Sequence, residues 1–257
     1  MEAALVNLEK PLIGRFWFNT GDKRDLSIFD GIIHILKSIF SKAIFASDNL
    51  ITISRNLGFL DDEPFVRAIQ NNMDEGLGFT IIWRTHIVCW AAKSCLPLPG
   101  AFVECGVYKG NTSGIITEYV LRGEKKPFYL YDLFETSDEP GTGHSLPGLI
   151  EGLKEKVIEK FSAHENIHVI PGHVPESLKV IHPDQVAFLH LDMNNPDAEL
   201  GALEFFWNKM CVGGMVVFDD YGWGAYKDQK LVIDDYFANK GVSVVELPTG
   251  QGIAIKR

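Results

Sequence analysis

The sequence has little positive charge for its size and no long uninterrupted apolar run. Its 257 residues carry 24 Lys and Arg against 34 Asp and Glu, which gives a formal net charge of −10. Phosphate backbones and anionic membranes attract cationic surfaces, so this balance predicts neither a nucleic-acid partner nor a membrane partner. No run of about 18 apolar residues occurs, which predicts no membrane-spanning helix.

Cysteine is also scarce, and the four that occur form no CxxC pair and no closely spaced metal cluster. Unpaired cysteines of this kind are typical of a reducing, cytoplasmic compartment. The first residues, MEAALVNLEKP, lack the basic start and the long apolar core of a secretory signal. These absences predict a cytoplasmic protein.

The chain from about residue 25 to 95 is predicted to be helical. Apolar residues recur at helical spacing between residues 28 and 44, and we expect this stripe to pack against the body of the protein or a second subunit. A homo-oligomer is therefore expected, with a membrane surface as the less favoured partner of the stripe. Asp61-Asp62-Glu63-Pro64 predicts the start of a helix that runs to about Asn72. A third helix is predicted from Thr80 to Ser94.

From residue 100 onward, short apolar strands alternate with helices, a pattern typical of a parallel sheet covered on both faces. The predicted strands are residues 101–107, 127–133, 167–172, 186–193 and 214–220. The helical stretches between them lie near residues 112–122, 147–162, 175–180, 197–210 and 226–239. The final segments, VSVVELP and GIAIKR, are separated by a short TGQG link, which predicts a closing antiparallel hairpin.

The first of these strands is followed by a glycine turn, ECGVYKGNTS. Open α/β sheets bind ligands at the carboxyl ends of their strands. Gly106 and Gly110 permit close approach of a ligand, and Asn111 and Thr112 open the next helix, whose amides face that edge. The E-x-G-x-x-x-G spacing differs from the G-x-G-x-x-G of nicotinamide-binding folds. Many α/β proteins need such a turn for geometry alone.

The second strand ends in YDLFE, and its acid supports an adenosine ligand. Asp132 is placed to accept hydrogen bonds from both hydroxyls of a ribose, and Phe134 is placed to pack on a purine. The alternative is that Asp132 serves as a helix cap or turn residue. Together, the glycine turn and the acid one strand later suggest an adenosine-containing ligand.

Three carboxylates follow two further strands. Asp192 ends LHLD, and Asp219 and Asp220 end MVVFDD. Neighbouring strands would bring these carboxylates to one edge, where three like charges cannot all stay ionised without a cation. Oxygen ligands favour Mg²⁺, Mn²⁺ or Ca²⁺ over zinc. The alternative is that Asp219 caps the next loop and Asp220 faces water. His190, on the same strand as Asp192, is expected to be packed or to support the ligands.

In order, these motifs resemble those of the class I S-adenosylmethionine-dependent methyltransferases. The stretches VECGVYKGNTS, YDLFE, VIPGHVPESL, LHLDMN and GGMVVFDDYG are most similar to the macrocin O-methyltransferase family, which acts on sugar hydroxyls of macrolides and related natural products. The implied fold is α/β: a Rossmann-like seven-stranded sheet over residues 77–257, mostly parallel with a C-terminal antiparallel hairpin. Residues 1–76 would form a helical N-terminal extension.

The resemblance also implies site residues. Asp192, Asp219 and Asp220 would hold a divalent cation, usually Mg²⁺, and S-adenosylmethionine would be the methyl donor. The implied cofactor-binding residues are Thr80, Glu104, Gly106, Gly110, Asn111, Thr112, Asp132, Phe134, Gly172 and His173.

The implied reaction is metal-assisted methyl transfer to a hydroxyl of a small polyhydroxylated or glycosylated metabolite, with Asp192 at its centre. His144, in the glycine-flanked stretch GTGHS, is a candidate general base or else an exposed loop histidine. After Asp192 the chain reads MNNPD, which departs from the macrolide enzymes, and it lacks the lysine of catechol-type enzymes. The acceptor is therefore not identified by the motifs.

Two other functions compete with this one. A cofactor-binding relic that acts as an assembly partner is disfavoured by the intact acidic triad. A nicotinamide-dependent oxidoreductase is disfavoured by the glycine spacing and by the predicted final hairpin.

Overall fold

A computed structural model of the protein describes residues 12–17, 23–40, 44–73, 77–134 and 151–257. The chain divides into two compact units, Met1–His86 and Ile87–Arg257. The resemblance in sequence motifs begins earlier than this division, at about residue 77. None of the described helices is long and apolar enough to cross a membrane.

The first unit combines helices with a small three-stranded sheet. Its elements are β1 (Leu12–Ile13), α1 (Lys23–Phe40), β2 (Ile44–Ser47), β3 (Leu50–Ile53), α2 (Glu63–Asn72), α3 (Leu77–Thr80) and the first part of α4 (Ile82–Cys95). β1 pairs with β2 in parallel, and β2 pairs with β3 antiparallel.

The prediction of an entirely helical segment is wrong for residues 44–53. Asp48 and Asn49 both have positive φ, 54° and 56°, and they form the tight turn between β2 and β3. Asp and Asn tolerate this left-handed conformation better than most residues, and a turn of this kind favours a hairpin. The β3 side chains then alternate between half-buried and exposed. The pair Asp48-Asn49, with β-branched residues on both sides, is the sequence pattern that indicates this hairpin.

Helix α1 divides the predicted apolar stripe between two faces. Ile33 is buried and, with Phe29, Leu36 and Phe40, packs against Ile44 and Ala46. A second row of isoleucines on the same helix is exposed: Ile28, Ile32, Ile35 and Ile39. The packed face accounts for only part of the stripe.

Helix α2 confirms the predicted cap and end. Asp62 is its N-cap, and its carboxylate accepts a hydrogen bond from the Phe65 amide at 3.3 Å, with Pro64 in the first turn. The predicted third helix is confirmed as α4, which runs from Ile82 to Cys95, and the short helix α3 precedes it.

Seven strands of the second unit form one sheet within residues 87–134 and 151–257. They are β4 (Ala101–Cys105), β5 (Phe128–Asp132), β6 (Ile167–Pro171), β7 (Val186–Leu191), β8 (Met210–Phe218), β9 (Val245–Glu246) and β10 (Gly252–Ile255). Their order across the sheet is β6-β5-β4-β7-β8-β10-β9. The pairs from β6 to β8 are parallel, and β10 is antiparallel to both β8 and β9. The predicted mostly parallel sheet with a closing antiparallel hairpin is confirmed.

The central strands are buried because helices cover both faces. Every residue of β4 and β7 is buried, as expected for continuous apolar runs in a parallel sheet. The covering helices are α5 (Asn111–Ile115, continued by a π-helical stretch Ile116–Leu121), α6 (Leu153–Phe161), α7 (Pro196–Trp207) and α8 (Lys227–Phe237). A core cluster joins β7 and β8 to α7 and α8 and includes Leu189, Val216, Leu203, Phe206 and Phe237.

Strand β8 is longer than predicted at one end and shorter at the other. It begins at Met210 rather than residue 214, and its pairing with β7 shifts register between Val186 and Phe188. It ends at Phe218, so Asp219 and Asp220 lie just beyond the sheet.

Gly106 must be glycine for two separate reasons, which a matched pair of variants separates. Its φ is +95°, and a Cβ there would overlap the carbonyl of Asp192. Gly123 has a similar φ of +89° but open space around it. We expect Gly123→Ala to cost about 1 kcal/mol of unfolding free energy, from backbone strain alone. Gly106→Ala should cost at least about 2 kcal/mol more, because the overlap adds to the strain.

Urea unfolding of both variants measures the difference. Equal losses in the two would mean that the approach of Gly106 to Asp192 imposes no constraint.

Candidate active site

Three carboxylates converge at the carboxyl edge of β7 and β8. Asp192, Asp219 and Asp220 each offer a ligand atom, and these atoms all lie within 4.8 Å of one another. Two backbone hydrogen bonds extend the ladder past the strand ends: the Asp192 amide donates to Cys105 O and the Asp219 amide to Leu191 O, both at 2.9 Å. The sheet itself therefore fixes where this acidic triad sits.

The triad fits a divalent cation that prefers oxygen ligands. Asp219 and Asp220 are 8% and 7% exposed, and Asp192 is half-buried. Carboxylates so close together repel one another in a poorly solvated setting unless positive charge is present. Mg²⁺ is commonly bound by one or two carboxylates plus water or substrate oxygens, and the donor set matches that chemistry.

A buried histidine lies behind the triad. His190 Nδ1 is 3.0 Å from Glu104 Oε1, and its Nε2 is 3.7 Å from Asp219 Oδ1, an ion-pair rather than a hydrogen-bond distance. Burial alone would lower the pKa of His190, but the contacts with Asp219 and Glu104 outweigh burial and raise that pKa well above its usual value. These two acids therefore favour the charged form of the imidazole, which lies between them.

A polar chain crosses four adjacent strands through this histidine. Ser113 Oγ donates to Glu104 Oε2, Glu104 contacts His190, and His190 faces Asp219. Asp219 Oδ1 in turn accepts a hydrogen bond from Gln251 Nε2 at 2.8 Å. Glu104 lies on β4, His190 on β7, Asp219 after β8 and Gln251 before β10, which are neighbours in the sheet. A series of polar contacts thus connects Ser113, in the helix after the glycine turn, with Asp219 of the triad.

Glu104 lies inside this chain rather than at a surface. It is 1% exposed, and both of its carboxylate oxygens contact protein groups, His190 and Ser113. The predicted contact of Glu104 with the cofactor stays a prediction. In the structure, Glu104 holds His190 and Ser113 in place.

The glycine turn is held by Asp132. Asp132 Oδ2 accepts hydrogen bonds from the amides of Val107 and Tyr108, both at 2.7 Å, and Oδ1 accepts one from Phe134 N at 2.6 Å. The predicted ribose acid therefore also fixes the shape of the turn that contains Gly106, which was the alternative reading of this residue.

Several other predicted cofactor residues gather at the same edge. Gly172 donates its amide to Asp132 O at 2.9 Å, and Phe134, which is 8% exposed, has a positive φ of 54° beside it. Gly110, with φ +67°, is the N-cap of α5, so Asn111 and Thr112 form its first turn. His173 follows Gly172 and is exposed.

Two other predicted residues are not among the described residues of the second unit. Thr80 is buried in the first unit, where its hydroxyl accepts the Arg15 amide at 3.3 Å and its carbonyl accepts the Ser47 hydroxyl at 3.0 Å. His144 lies outside the described residues. Both assignments stay predictions.

Glu199 is a supporting acid that the sequence analysis missed. It is buried on α7, and its Oε1 accepts hydrogen bonds from Gln229 Nε2 at 2.6 Å and from Met193 N at 3.3 Å. Burial, together with the charges of Asp220 and Asp219, raises the pKa of Glu199 to about 8, against the lowering effect of the Met193 amide and of His190. The residue fixes the backbone immediately after Asp192. Helical spacing could have identified it: Glu199 precedes Ala202, Leu203 and Phe206 by three, four and seven residues, which places it on the buried face of the helix.

Comparison with known proteins identifies the same family that the sequence motifs resemble. The family model described as Macrocin-O-methyltransferase (TylF) matches residues 94–245, more than half of the chain. A curated relative from Streptomyces olivaceus, 8-demethyl-8-(2,3-dimethoxy-alpha-L-rhamnosyl)-tetracenomycin-C 4'-O-methyltransferase, is 26% identical over 163 residues. That match spans 57% of this chain and 61% of the length of the relative.

Solved structures share the fold. The O-methyltransferase NovP matches with a TM-score of 0.56 and 18% identity, over 69% of this chain and 81% of that chain. The calicheamicin methyltransferase CalS11 matches with a TM-score of 0.54 and 15% identity, over 78% of this chain and 94% of that chain. The predicted Rossmann-like methyltransferase fold is confirmed.

The contact between His190 and Glu104 is expected to contribute strongly to stability, because its removal strands a buried charge. His190→Leu should cost about 3–5 kcal/mol of unfolding free energy, since Glu104 loses its buried counter-charge. Combining it with Glu104→Gln should cost clearly less than the sum of the two single losses, because the stranded carboxylate is then gone. Urea unfolding of the two single variants and the double variant checks this. Additive losses would show that the two side chains are not coupled.

Proposed function

Because the chain belongs to the macrocin O-methyltransferase family, we propose that it moves the methyl group of S-adenosylmethionine to a hydroxyl of a small polyhydroxylated or glycosylated metabolite, with a divalent cation as cofactor. The observation that carries the metal dependence is the acidic triad. Three carboxylates within 4.8 Å of one another, two of them buried, form a charge arrangement that a cation would stabilise.

The methyl donor is expected at the edge beside the triad. S-adenosylmethionine supplies an electrophilic methyl on a sulfonium. Gly106 and Gly110, both with positive φ, shape the turn after β4, and Asp132 and Phe134 lie at and just beyond the end of the neighbouring strand β5. Gly172 and His173 follow the next strand out. The order of β6, β5 and β4 therefore supports an adenosine site beside the metal site.

The triad would act in two ways: it would favour proton loss from the acceptor hydroxyl, and it would position that hydroxyl for attack on the methyl group. A cation held by Asp192, Asp219 and Asp220 would lower the pKa of an acceptor hydroxyl. Transfer then forms one C–O bond, breaks the bond between sulfur and methyl, and gives the hydroxyl proton to a base. The protein's contribution is to hold acceptor oxygen and methyl in line, which accounts for much of the acceleration in reactions of this kind.

The proton acceptor is proposed to be Asp192 or the predicted base His144. His190 is not suited to that role. Its ring is 1% exposed, its raised pKa favours the charged form, and its Nδ1 is engaged with Glu104. Asp192 is the most exposed carboxylate of the triad and follows the strand at the edge where an acceptor would enter.

A sugar hydroxyl is the acceptor class that we favour. The curated relative is described as acting on the 4' position of a rhamnosylated tetracenomycin, and CalS11 is also described as a TDP-rhamnose 3'-O-methyltransferase. Family membership supports carrying the class, a glycosylated natural product, over to this chain. A sugar also offers adjacent hydroxyls, which suit an oxygen-preferring cation.

The exposed isoleucines of α1 support self-association. Ile28, Ile32, Ile35 and Ile39 are 54%, 47%, 57% and 64% exposed and repeat at the four-three-four spacing of a helix–helix seam. Ile32→Glu combined with Ile35→Glu should convert an oligomer to a monomer in analytical ultracentrifugation. Ile158→Glu, at an exposed isoleucine of α6, is the control that should leave the mass unchanged. A monomeric wild type would contradict this proposal.

Metal dependence is tested by separating cofactor binding from turnover. S-adenosylhomocysteine should bind the wild type and Asp219→Asn with similar affinity in calorimetry, because that carboxylate belongs to the metal site. Methyl transfer from labelled S-adenosylmethionine to a panel of rhamnosylated aromatic metabolites should stop in EDTA and return with Mg²⁺. Asp219→Asn should lower the rate at least about 100-fold, as expected when a metal ligand is lost.

Equal rates in EDTA and in Mg²⁺ would contradict the metal role. Cofactor binding without any cation binding would favour the non-catalytic relic. Failure to bind S-adenosylhomocysteine at saturating concentration would contradict the whole assignment.

A further inference from the structure

The turn of the C-terminal hairpin places a buried amide against the acidic triad. Gln251 is 0% exposed, and its Nε2 donates a hydrogen bond to Asp219 Oδ1 at 2.8 Å. The two residues are 32 positions apart, and the pairing of β10 with β8 brings them together: Gly252 lies opposite Phe218 in that ladder. A neutral donor at this position restrains the carboxylate without adding a net charge beside it.

The orientation of the Gln251 amide is fixed by its neighbours. The hydroxyl of Thr249 donates to Gln251 Oε1 at 3.0 Å, so the amide oxygen faces Thr249 and the nitrogen faces Asp219. The Gln251 carbonyl accepts the Leu247 amide at 2.8 Å, which closes the turn. Rotating the amide by half a turn would point an oxygen at the Asp219 carboxylate, and the two acceptors would repel.

The turn is also tied to the loop that follows the acid pair. Gly222 donates its amide to Gly250 O at 2.7 Å. Gly250 has φ +83°, and a Cβ there would overlap the indole of Trp223. The hairpin turn therefore contacts the loop after Asp220 through a backbone hydrogen bond and close packing, which restrain the segment that carries Gln251.

We infer that Gln251 is a positioning residue for the proposed metal centre: it sets the rotation of the Asp219 carboxylate before an ion arrives. This inference rests on the proposed function, because it assigns Asp219 as a ligand. His190 Nε2 lies 3.7 Å from the same oxygen, Oδ1. The Gln251 hydrogen bond is the shorter and better directed of the two restraints. Groups that orient metal ligands in this way commonly change metal affinity 10- to 100-fold when they are removed.

The test compares Mn²⁺ binding by full-length variants, measured by the electron paramagnetic resonance signal of free Mn²⁺ with S-adenosylhomocysteine present. Gln251→Met keeps the length of the side chain and removes both polar atoms. We expect its Mn²⁺ affinity to fall at least about 10-fold, with the affinity for S-adenosylhomocysteine unchanged. Gln185→Met is the matched control at an exposed glutamine and should bind Mn²⁺ like the wild type.

Two further results separate positioning from loss of structure. Thr249→Val keeps Gln251 but removes the hydroxyl that orients it. We therefore expect a loss of Mn²⁺ affinity smaller than that of Gln251→Met. In turnover assays, a higher Mg²⁺ concentration should restore most of kcat to Gln251→Met, with KM for S-adenosylmethionine unchanged. A chain damaged throughout would lose cofactor affinity and would not be restored by Mg²⁺.

Mn²⁺ affinity within twofold of the wild type in Gln251→Met, with the cofactor site intact, would overturn this inference alone. Absence of Mn²⁺ binding by the wild type would overturn the metal centre itself and the inference with it. Should Gln251→Met not fold, Thr249→Val decides: an unchanged Mn²⁺ affinity overturns the positioning role.

Discussion

Repulsion among like charges at one edge of the sheet is the constraint on which the site depends. The fold places Asp192, Asp219 and Asp220 within 4.8 Å of one another and buries two of them, an arrangement that costs free energy in the absence of positive charge. The charged form of His190, which its acidic neighbours favour, supplies one positive charge behind the triad. It also sits against Glu104, so it lies between two acids and offsets only part of the repulsion. The remaining negative charge faces the edge where a cation and an acceptor would bind.

The antiparallel strand β10 is what completes this edge. A parallel sheet that ended at β8 would leave Asp219 beside solvent. Inserting β10 between β8 and β9 brings the hairpin turn, with Thr249, Gly250 and Gln251, against the acid pair. The order of the strands thus brings a hydrogen-bond donor, Gln251 Nε2, to the Asp219 carboxylate from 32 positions away in the sequence. The backbone after Asp192 is also held, because Glu199 accepts the Met193 amide and is itself held by Gln229.

Much of this site could be predicted because its parts are local in sequence. Short apolar strands followed by Gly106, Asp132, Asp192 and Asp219 identify the carboxyl edge, since strand ends carry their own signals. The supporting contacts could not be predicted in the same way. Gln251 reaches Asp219 only through the pairing of two strands, and the partners of His190 come from β4 and from the end of β8.

In the first unit, the sequence-based prediction failed because of a local effect rather than a long-range one. The helical spacing of apolar residues ends at residue 44, but the helical prediction extended to residue 95, and the local turn at Asp48 and Asn49 makes residues 44–53 a hairpin instead. There a short-range backbone preference decided the structure, whereas around the triad the long-range pairing of strands decided it. The buried acid Glu199 falls between the two cases, because its position on the apolar face of α7 was visible in the sequence but its partners were not.

The central claim is that the acidic triad is a metal centre next to the methyl donor. Anomalous diffraction at the manganese absorption edge, from crystals grown with S-adenosylhomocysteine and Mn²⁺, tests it most directly. The account predicts one strong peak bounded by the carboxylates of Asp192, Asp219 and Asp220, with S-adenosylhomocysteine at the turn around Gly106. S-adenosylhomocysteine bound at that turn with no manganese peak among the three carboxylates would contradict it.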